Sequence, residues 1–198
     1  MAIKLTPIET PSRLFCGSKF CGDPDMPEDM EYPMLDQIPL TFICQIDCAD
    51  LAPYDKDGIF PEDGMFYFFG AIDYFLGYES PIRIPIGEWP KGYIVVKYAK
   101  SINYETFQSQ IMLDENDEPI AQMPLAIEFS ECADDEDCLR MGGRTQDDTI
   151  PDGRSLLHLV TDALTEFTFP DGMSLEISLS ANDIKFGNWK RGQGYLAD

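Results

Sequence analysis

The chain contains one histidine. His158 sits in the apolar run Leu156-Leu157-His158-Leu159-Val160. Any Ser-His-Asp or Cys-His arrangement would have to use it as the base. A satisfied core histidine has the same setting. Carboxylates present the opposite difficulty: with 36 acidic residues, pairs suited to general acid–base work occur everywhere and single out nothing. Asp55-Lys56-Asp57-Gly58 begins like a calcium loop, but the third oxygen ligand before the glycine and the closing Glu are missing. The runs Asp114-Glu115-Asn116-Asp117-Glu118 and Asp134-Asp135-Glu136-Asp137 are read as solvated charge. The six cysteines, Cys16, Cys21, Cys44, Cys48, Cys132 and Cys138, lack the tight pairing of a zinc ribbon or finger. Gly142-Gly143 and the stretch Gly187 to Gly194 are too sparse to cradle a phosphate.

What remains is a short set of candidate pocket or interaction residues: Lys19, Gln45, Asp47 and His158. Lys19 and Gln45 are polar within otherwise patterned segments. Gln45 either hydrogen-bonds a buried backbone group or lines a pocket. No residue is assigned to catalysis, to a cofactor or to a metal. The densest basic patch is Lys185, Lys190 and Arg191, with Trp189 inside it. It would touch an acidic face of the same protein.

The elements that hold these residues must be built by a chain of 198 residues with 13 Phe and 9 Tyr. That is enough large apolar volume for a real core, so disorder is excluded despite the charge. The net charge of −22 repels phosphate backbones and anionic membranes, which argues against direct nucleic-acid or membrane binding. It favours solubility and would steer a basic partner toward the surface. Met1 to Pro7 shows no apolar signal-peptide core, and the most apolar run, Gly64 to Ile72, is too short to span a bilayer. A cytoplasmic location with free thiols is expected.

Along the chain, Pro7, Pro11, Pro24, Pro27, Pro33 and Pro39 leave no room for a long helix, and residues 1–39 are read as an extended Pro/Gly-rich arm wrapping the domain. Leu40 to Asp47 alternates, with Leu40, Phe42, Cys44 and Ile46 on one face. A helical turn over Asp47 to Leu51 follows, then a strand buried on both faces over Met65 to Phe69. Ile82 to Ile86 and Gly92 to Lys100 are further strands with a turn between them. Leu125 to Phe129 is another, and Glu131 to Asp137 opens a short helix carrying Leu139 and Met141. Leu156 to Val160 is a buried strand. In Met173 to Leu179 the residues Met173, Leu175, Ile177 and Leu179 face the core, and Ser174, Glu176 and Ser178 face away, as in a half-buried strand. Ser180 or Asn182 caps a short helix through Phe186.

Two segments echo each other. Phe42 to Ile46 precedes Phe60-Pro61-Glu62-Asp63-Gly64-Met65, and Leu156 to Val160 precedes Phe169-Pro170-Asp171-Gly172-Met173. Each is an apolar strand, a loop, a Phe-Pro then Asp-Gly-Met turn and a second strand. The expectation is an α+β, predominantly β fold, with mixed or antiparallel sheets, few short helices and two related strand–loop–strand units in one domain, 1–198. The first β unit covers 40–100, a connecting segment 101–150 and the second β unit 151–198.

The same segments carry a family resemblance. Ser18 to Pro24, Met26-Pro27, Tyr32-Pro33, Pro39 to Asp47 with Ala49-Asp50-Leu51, Pro61 to Phe69, Arg140 to Gly143, Leu156 to Asp162, Asp171-Gly172 and Asn182-Asp183-Ile184 resemble, in order, the YwqG-like family of bacterial proteins. Tyr32 stands where that family usually has Trp, His158 where Gln is usual, and Leu175 to Leu179 lacks its aromatic pair. The resemblance implies a β-rich α+β fold and brings no established activity, so no catalytic residue is carried over.

The expected function is that of a non-catalytic interaction protein, immunity- or antitoxin-like, covering a basic partner protein. Two alternatives stand beside it: an enzyme or small-ligand binder with an unfamiliar site, and an acidic nucleic-acid mimic. No cofactor is expected.

Overall fold

The computed structural model describes residues 1–12, 14–113, 116–150, 152–170 and 172–197. The acidic residues Asp114 and Glu115 and the turn residue Asp171 lie outside the described residues. The described residues form fifteen strands: β1 (Ala2–Ile8), β2 (Lys19–Phe20), β3 (Asp25–Pro27), β4 (Met34–Leu35), β5 (Ile38–Pro39), β6 (Thr41–Asp47), β7 (Met65–Gly70), β8 (Gly87–Glu88), β9 (Ile94–Ala99), β10 (Phe107–Ser109), β11 (Leu125–Cys132), β12 (Arg140–Gly142), β13 (Gly153–Leu159), β14 (Ser174–Ser180) and β15 (Gln193–Ala197). Two short helices, α1 (Cys48–Leu51) and α2 (Ala181–Lys185), and two 3₁₀ turns, Asp73–Leu76 and Trp189–Arg191, complete the described chain. No helix among the described residues is long and apolar enough to cross a membrane.

Eleven strands form one sheet in the order β8-β15-β14-β13-β12-β1-β11-β2-β6-β7-β9, and every pairing in it is antiparallel. The fold is thus predominantly β with few short helices. One face of the sheet is apolar from end to end. Ile3, Leu5, Phe20, Ile46, Phe66, Phe68, Met141, Leu157, Leu159, Leu175 and Ile177 pack into a single cluster. A sheet whose two halves bury one face against each other must curl, which the native strand twist favours. The ends of the sheet accordingly meet: Phe66 packs edge-on against Trp189 with ring centroids 4.9 Å apart. A Cβ on Gly194 of β15 would fall 2.7 Å from Ile94 Cγ1 of β9.

The other face is covered separately in each half. Over β6 and β7, Met26, Leu40, Phe42, Met65, Tyr67, Phe69 and Phe107 form a second apolar cluster. Over β13 and β14 the cover is the segment after β12, where the Gln146 N–H donates to Glu176.

The two related units are β6–β7 and β13–β14. Each is an antiparallel pair with a bulge in its first strand, at Phe42/Cys44 and at Ser155/Leu157. The first bulge corrects the expected face of β6. An extra residue shifts the side-chain parity, so Leu40 and Phe42 pack in the second cluster while Cys44 and Ile46 pack in the main core.

Other differences have local causes. Ala2–Ile8, expected as part of a wrapping arm, is the strand between β11 and β12. Burial of Ala2, Ile3 and Leu5 holds it there. Ile82 to Ile86 is not a strand, and the paired residues come just after it, at Gly87–Glu88. Leu139 and Met141 lie not on a helix but in and beside β12, whose Arg140 faces His158. Ser174, Glu176 and Ser178 do not form a solvent face, for Glu176 and Ser178 are buried. Of the two cap candidates for the last helix, Ser180 is the one used, accepting from the Asp183 N–H; the first helical turn, expected over Asp47 to Leu51, is capped by Asp47, which accepts from the Ala49 N–H.

Candidate functional site

Lys19 and Gln45 are neighbours across β2 and β6, so their side chains leave the same face of the sheet. There they meet Asp25. Lys19 Nζ donates to Asp25 Oδ2 at 2.7 Å and Gln45 Nε2 at 3.0 Å. The Cys16 N–H donates to the same oxygen at 2.9 Å, and Ser109 Oγ to Oδ1 at 2.6 Å. The Asp25 N–H donates to Gln45 Oε1 at 2.8 Å, and Tyr67 Oη to the Asp25 carbonyl at 2.7 Å. Both charges of this ion pair are buried and amply hydrogen-bonded, the condition under which such a pair is tolerated. The network ties the chain on either side of β2, and β10, to β6. Its groups are satisfied by one another, so Lys19 and Gln45 are committed to structure.

Asp47 is committed as well. Its carboxylate caps α1 at 3.0 Å from the Ala49 N–H, and its own N–H donates to Ser18 Oγ at 2.9 Å. Burial and its acidic neighbours push its carboxyl up, against the pull of the capping hydrogen bond.

His158 lies in the other half of the sheet, in a cross-strand row with Arg140 and Glu176. Burial, with the Arg140 charge behind it, pushes the imidazole down to about 3. It is neutral at pH 7, and the 3.9 Å approach of Nδ1 to Glu176 Oε2 is therefore not an ion pair. Arg140 Nε donates to the Glu136 carbonyl at 3.2 Å. Arg140 Nη1 and Nη2, His158 Nδ1, Ser155 Oγ and Ser178 Oγ are buried without a partner among the described residues. No nucleophile is hydrogen-bonded to His158 Nδ1, so the geometry of a nucleophile–base pair is not formed there.

The structure brings together a different set of residues. A cavity of about 390 Å³ opens between the segment after β2, the β5–β6 junction, the first 3₁₀ turn, Met112 and residues 120–122. None of the four sequence candidates lines it. Leu40, Phe42, Leu76, Met112 and Ile120 make its walls apolar. Asp23, Asp73 and Glu79 bring carboxyl groups, and among the described residues no Lys, Arg or His lines it. Two segments place the three acids. Gly22, at φ +74°, turns the chain into Asp23 against Pro124, where a Cβ would sit 2.9 Å from Pro124 Cβ. Asp73 opens the 3₁₀ turn and accepts from Thr41 Oγ1. Glu79 follows that turn and is exposed at the rim. Burial pushes the Asp23 carboxyl up, opposed by a backbone hydrogen bond from Met112 and by Lys19. Tyr32, whose Oη donates to the Leu40 carbonyl at 2.9 Å, supplies an aromatic wall. Apolar walls around carboxylates suit a positively charged group on an apolar stem.

Sequence reasoning missed this cavity because its carboxylates come from two segments about 50 residues apart, and Asp23 alone fell within a noted motif. Among the described residues no three His, Cys, Asp or Glu side chains converge as a metal site. In the calcium-like loop, Asp55 accepts from the Phe60 N–H and Asp57 from the N-terminal ammonium.

No curated protein matches the chain. A family model described as a domain of unknown function, DUF1963, matches residues 18–188. That span includes β2 to α2 and the whole wall of the acid-lined cavity. The chain belongs to the DUF1963 family.

Proposed function

We propose that this chain, as a YwqG-like protein of the cytoplasm, is a non-catalytic interaction module that captures a basic partner protein by seating a lysine or arginine side chain in the acid-lined cavity. One observation carries the reading: Asp23, Asp73 and Glu79 share an apolar cavity of about 390 Å³ that no described Lys, Arg or His lines. A lysine or arginine stem would cover the apolar walls and its head would reach the carboxylates. The surrounding net charge of −22 adds long-range attraction, which raises association rates more than it slows dissociation.

The test is a randomised heptapeptide library displayed on phage and panned against the protein and against the Asp73→Asn/Glu79→Gln variant. Enriched peptides are expected to carry a basic residue with apolar neighbours and to be lost with the variant. Their association rate should fall steeply with salt, as the Debye length shrinks from about 30 Å at 0.01 M to about 10 Å at 0.1 M. Enrichment of neutral or acidic peptides, or equal enrichment by the variant, overturns the reading.

A second reading uses the same chemistry. The cavity volume also suits a small organic cation, since ligand pockets run from about 300 to 1,000 Å³. Arginine methyl amide binding as tightly as the best library peptide would favour that reading over a protein partner.

A further inference from the structure

The sheet does not close by strand pairing. β9 ends it on one side and β8 on the other, and the loop Trp89–Tyr93 joins these two end strands in sequence. The loop starts by extending the β8–β15 pairing, the Trp89 N–H donating to the Gly194 carbonyl at 2.8 Å, and then crosses the seam to enter β9 at Ile94. Beside the seam lies a cleft of about 680 Å³ between Ile94 and Val95 of β9 and the start of β15. Its wall is drawn in by two glycines. A Cβ would fall 2.9 Å from Val96 Cγ2 at Gly192 and 2.7 Å from Ile94 Cγ1 at Gly194.

The charge of this cleft is opposite to that of the molecule. Lys91, Lys190 and Arg191 line it, three of only 14 cationic residues in the chain. Lys91 and Lys190 are exposed and make no hydrogen bond or ion pair among the described residues. The cleft's two carboxylates are already engaged. Asp183 accepts from Arg191 Nη1, Asn188 Nδ2 and Ser180 Oγ at 3.0, 3.0 and 2.9 Å, and Glu88 from Gln193 Nε2 at 2.9 Å. Two uncommitted ammonium groups and the free edge of a guanidinium therefore face one cavity.

We propose that this cleft binds a small phosphate-bearing molecule. Ammonium groups act on phosphate as point charges and a guanidinium adds directed donors. A dianionic phosphate uses more than one cation, which a monocarboxylate does not. The size limit follows from the rest of the surface. At physiological salt, charges beyond about 8 Å are screened, so a small ligand responds to the cleft, whereas a polyanion would run onto the acidic faces. A cavity of about 680 Å³ is large enough for a mononucleotide-sized molecule. The proposal is independent of the acid-lined cavity and of its reading.

The chain's two tryptophans report on the cleft: Trp89 lines it, and Trp189 immediately precedes Lys190. Intrinsic fluorescence and calorimetry are followed during titration with inorganic phosphate, glycerol phosphate, adenosine monophosphate and acetate, for the wild type and for Lys91→Glu/Lys190→Glu. Both replaced side chains are exposed, so the variant's melting transition should be unchanged. Saturable binding of at least one phosphate compound at sub-millimolar concentration is expected, weakened roughly tenfold or more in the variant. Inorganic phosphate binding as tightly as the esters assigns the site to the free ion, and tighter esters assign it to an organophosphate. Absence of saturation by every phosphate compound, equal binding of acetate, or unchanged affinity in the variant overturns the proposal.

Discussion

Gln45 and His158 occupy matching places in the two halves of the sheet. Gln45 pairs across the strand with the buried cation Lys19 on one side and with Tyr67 on the other, and His158 pairs with the buried cation Arg140 and with Glu176. The settings differ in one respect. Asp25 closes the first row, binding both Lys19 and Gln45, while in the second the Arg140 Nη atoms and His158 Nδ1 have no partner among the described residues. The internal similarity in sequence is therefore a similarity of strand pairing, with polar chemistry that has diverged.

The first prediction uses that divergence. The folded protein holds the His158 imidazole down at about 3, against about 6.5 in an unfolded chain. Between those values the unfolded state binds the extra proton, so stability rises with pH. The contribution is present above pH 6.5 and is lost as pH falls toward 3, at up to about 1.4 kcal/mol per pH unit. Lowered carboxyl groups such as Asp183 titrate in the same direction, so the informative quantity is the difference between wild type and His158→Gln. That difference, from denaturant melts at stepped pH, should favour the variant increasingly below pH 6.5. A flat difference down to pH 4 would show that the imidazole is not held neutral by the fold.

How much of this was legible in sequence follows from range. β7 and β14 were visible because their apolar pattern is local, and α1 and α2 because the run Asp47 to Leu51 and the cap Ser180 are local signals. β1 was not, because what makes Ala2–Ile8 a strand is its place between β11 and β12, partners more than a hundred residues away. β12 has three residues, too few to show a period. The acid-lined cavity brings Asp23 together with Asp73 and Glu79 from a segment about 50 residues away, with no local motif among them. Lys19 and Gln45 were correctly seen as polar residues in an apolar setting. Asp25, the residue that explains both, was invisible because it reaches them only through the fold.

The bulge in β6 makes a second prediction. Phe42 packs with Phe69, ring centroids 5.5 Å apart, on the opposite face from Phe66. Replacements with Leu should be additive for Phe42 and Phe66, and coupled by roughly 0.5–1.5 kcal/mol for Phe42 and Phe69. Coupling of Phe42 to Phe66 in a double-mutant cycle would place the bulge elsewhere. Within the main core, Phe68→Ala should cost roughly 3–5 kcal/mol, since Phe68 is fully buried.

Gly64 makes a third. It sits at φ +99°, and a Cβ there would fall 2.3 Å from the Ala99 carbonyl oxygen, against a backbone atom of β9. Gly58 also has a positive φ, +62°, but open space around it. Gly58→Ala should cost only the left-handed penalty of roughly 1–2 kcal/mol. Gly64→Ala should cost clearly more, because strain and collision add. Equal losses in chemical denaturation would mean that β9 can move away from the turn.

The last prediction concerns the thiols. All six cysteines are free and buried. Burial is the largest influence on each of those that shift: it pushes Cys21, Cys48 and Cys132 up to about 12 and Cys16 to about 11, and raises Cys44 and Cys138 as well. The thiolate is the reactive form, so a raised pKa and poor access both slow alkylation. Iodoacetamide at pH 8 should modify the folded protein far more slowly than a free thiol of ordinary pKa, about 8.5. Unfolding in denaturant under anaerobic conditions should release all six to rapid reaction, read as mass added per chain. Cys132 and Cys138 are the informative pair, since they pack together with Ala2 at the start of β1. If β1 frays from β11, these two should be labelled first in a native time course. Labelling that begins instead at Cys44, fully buried at the centre of β6, would mean that β6 opens before β1 does, and the central place given to β1 in the sheet would be wrong.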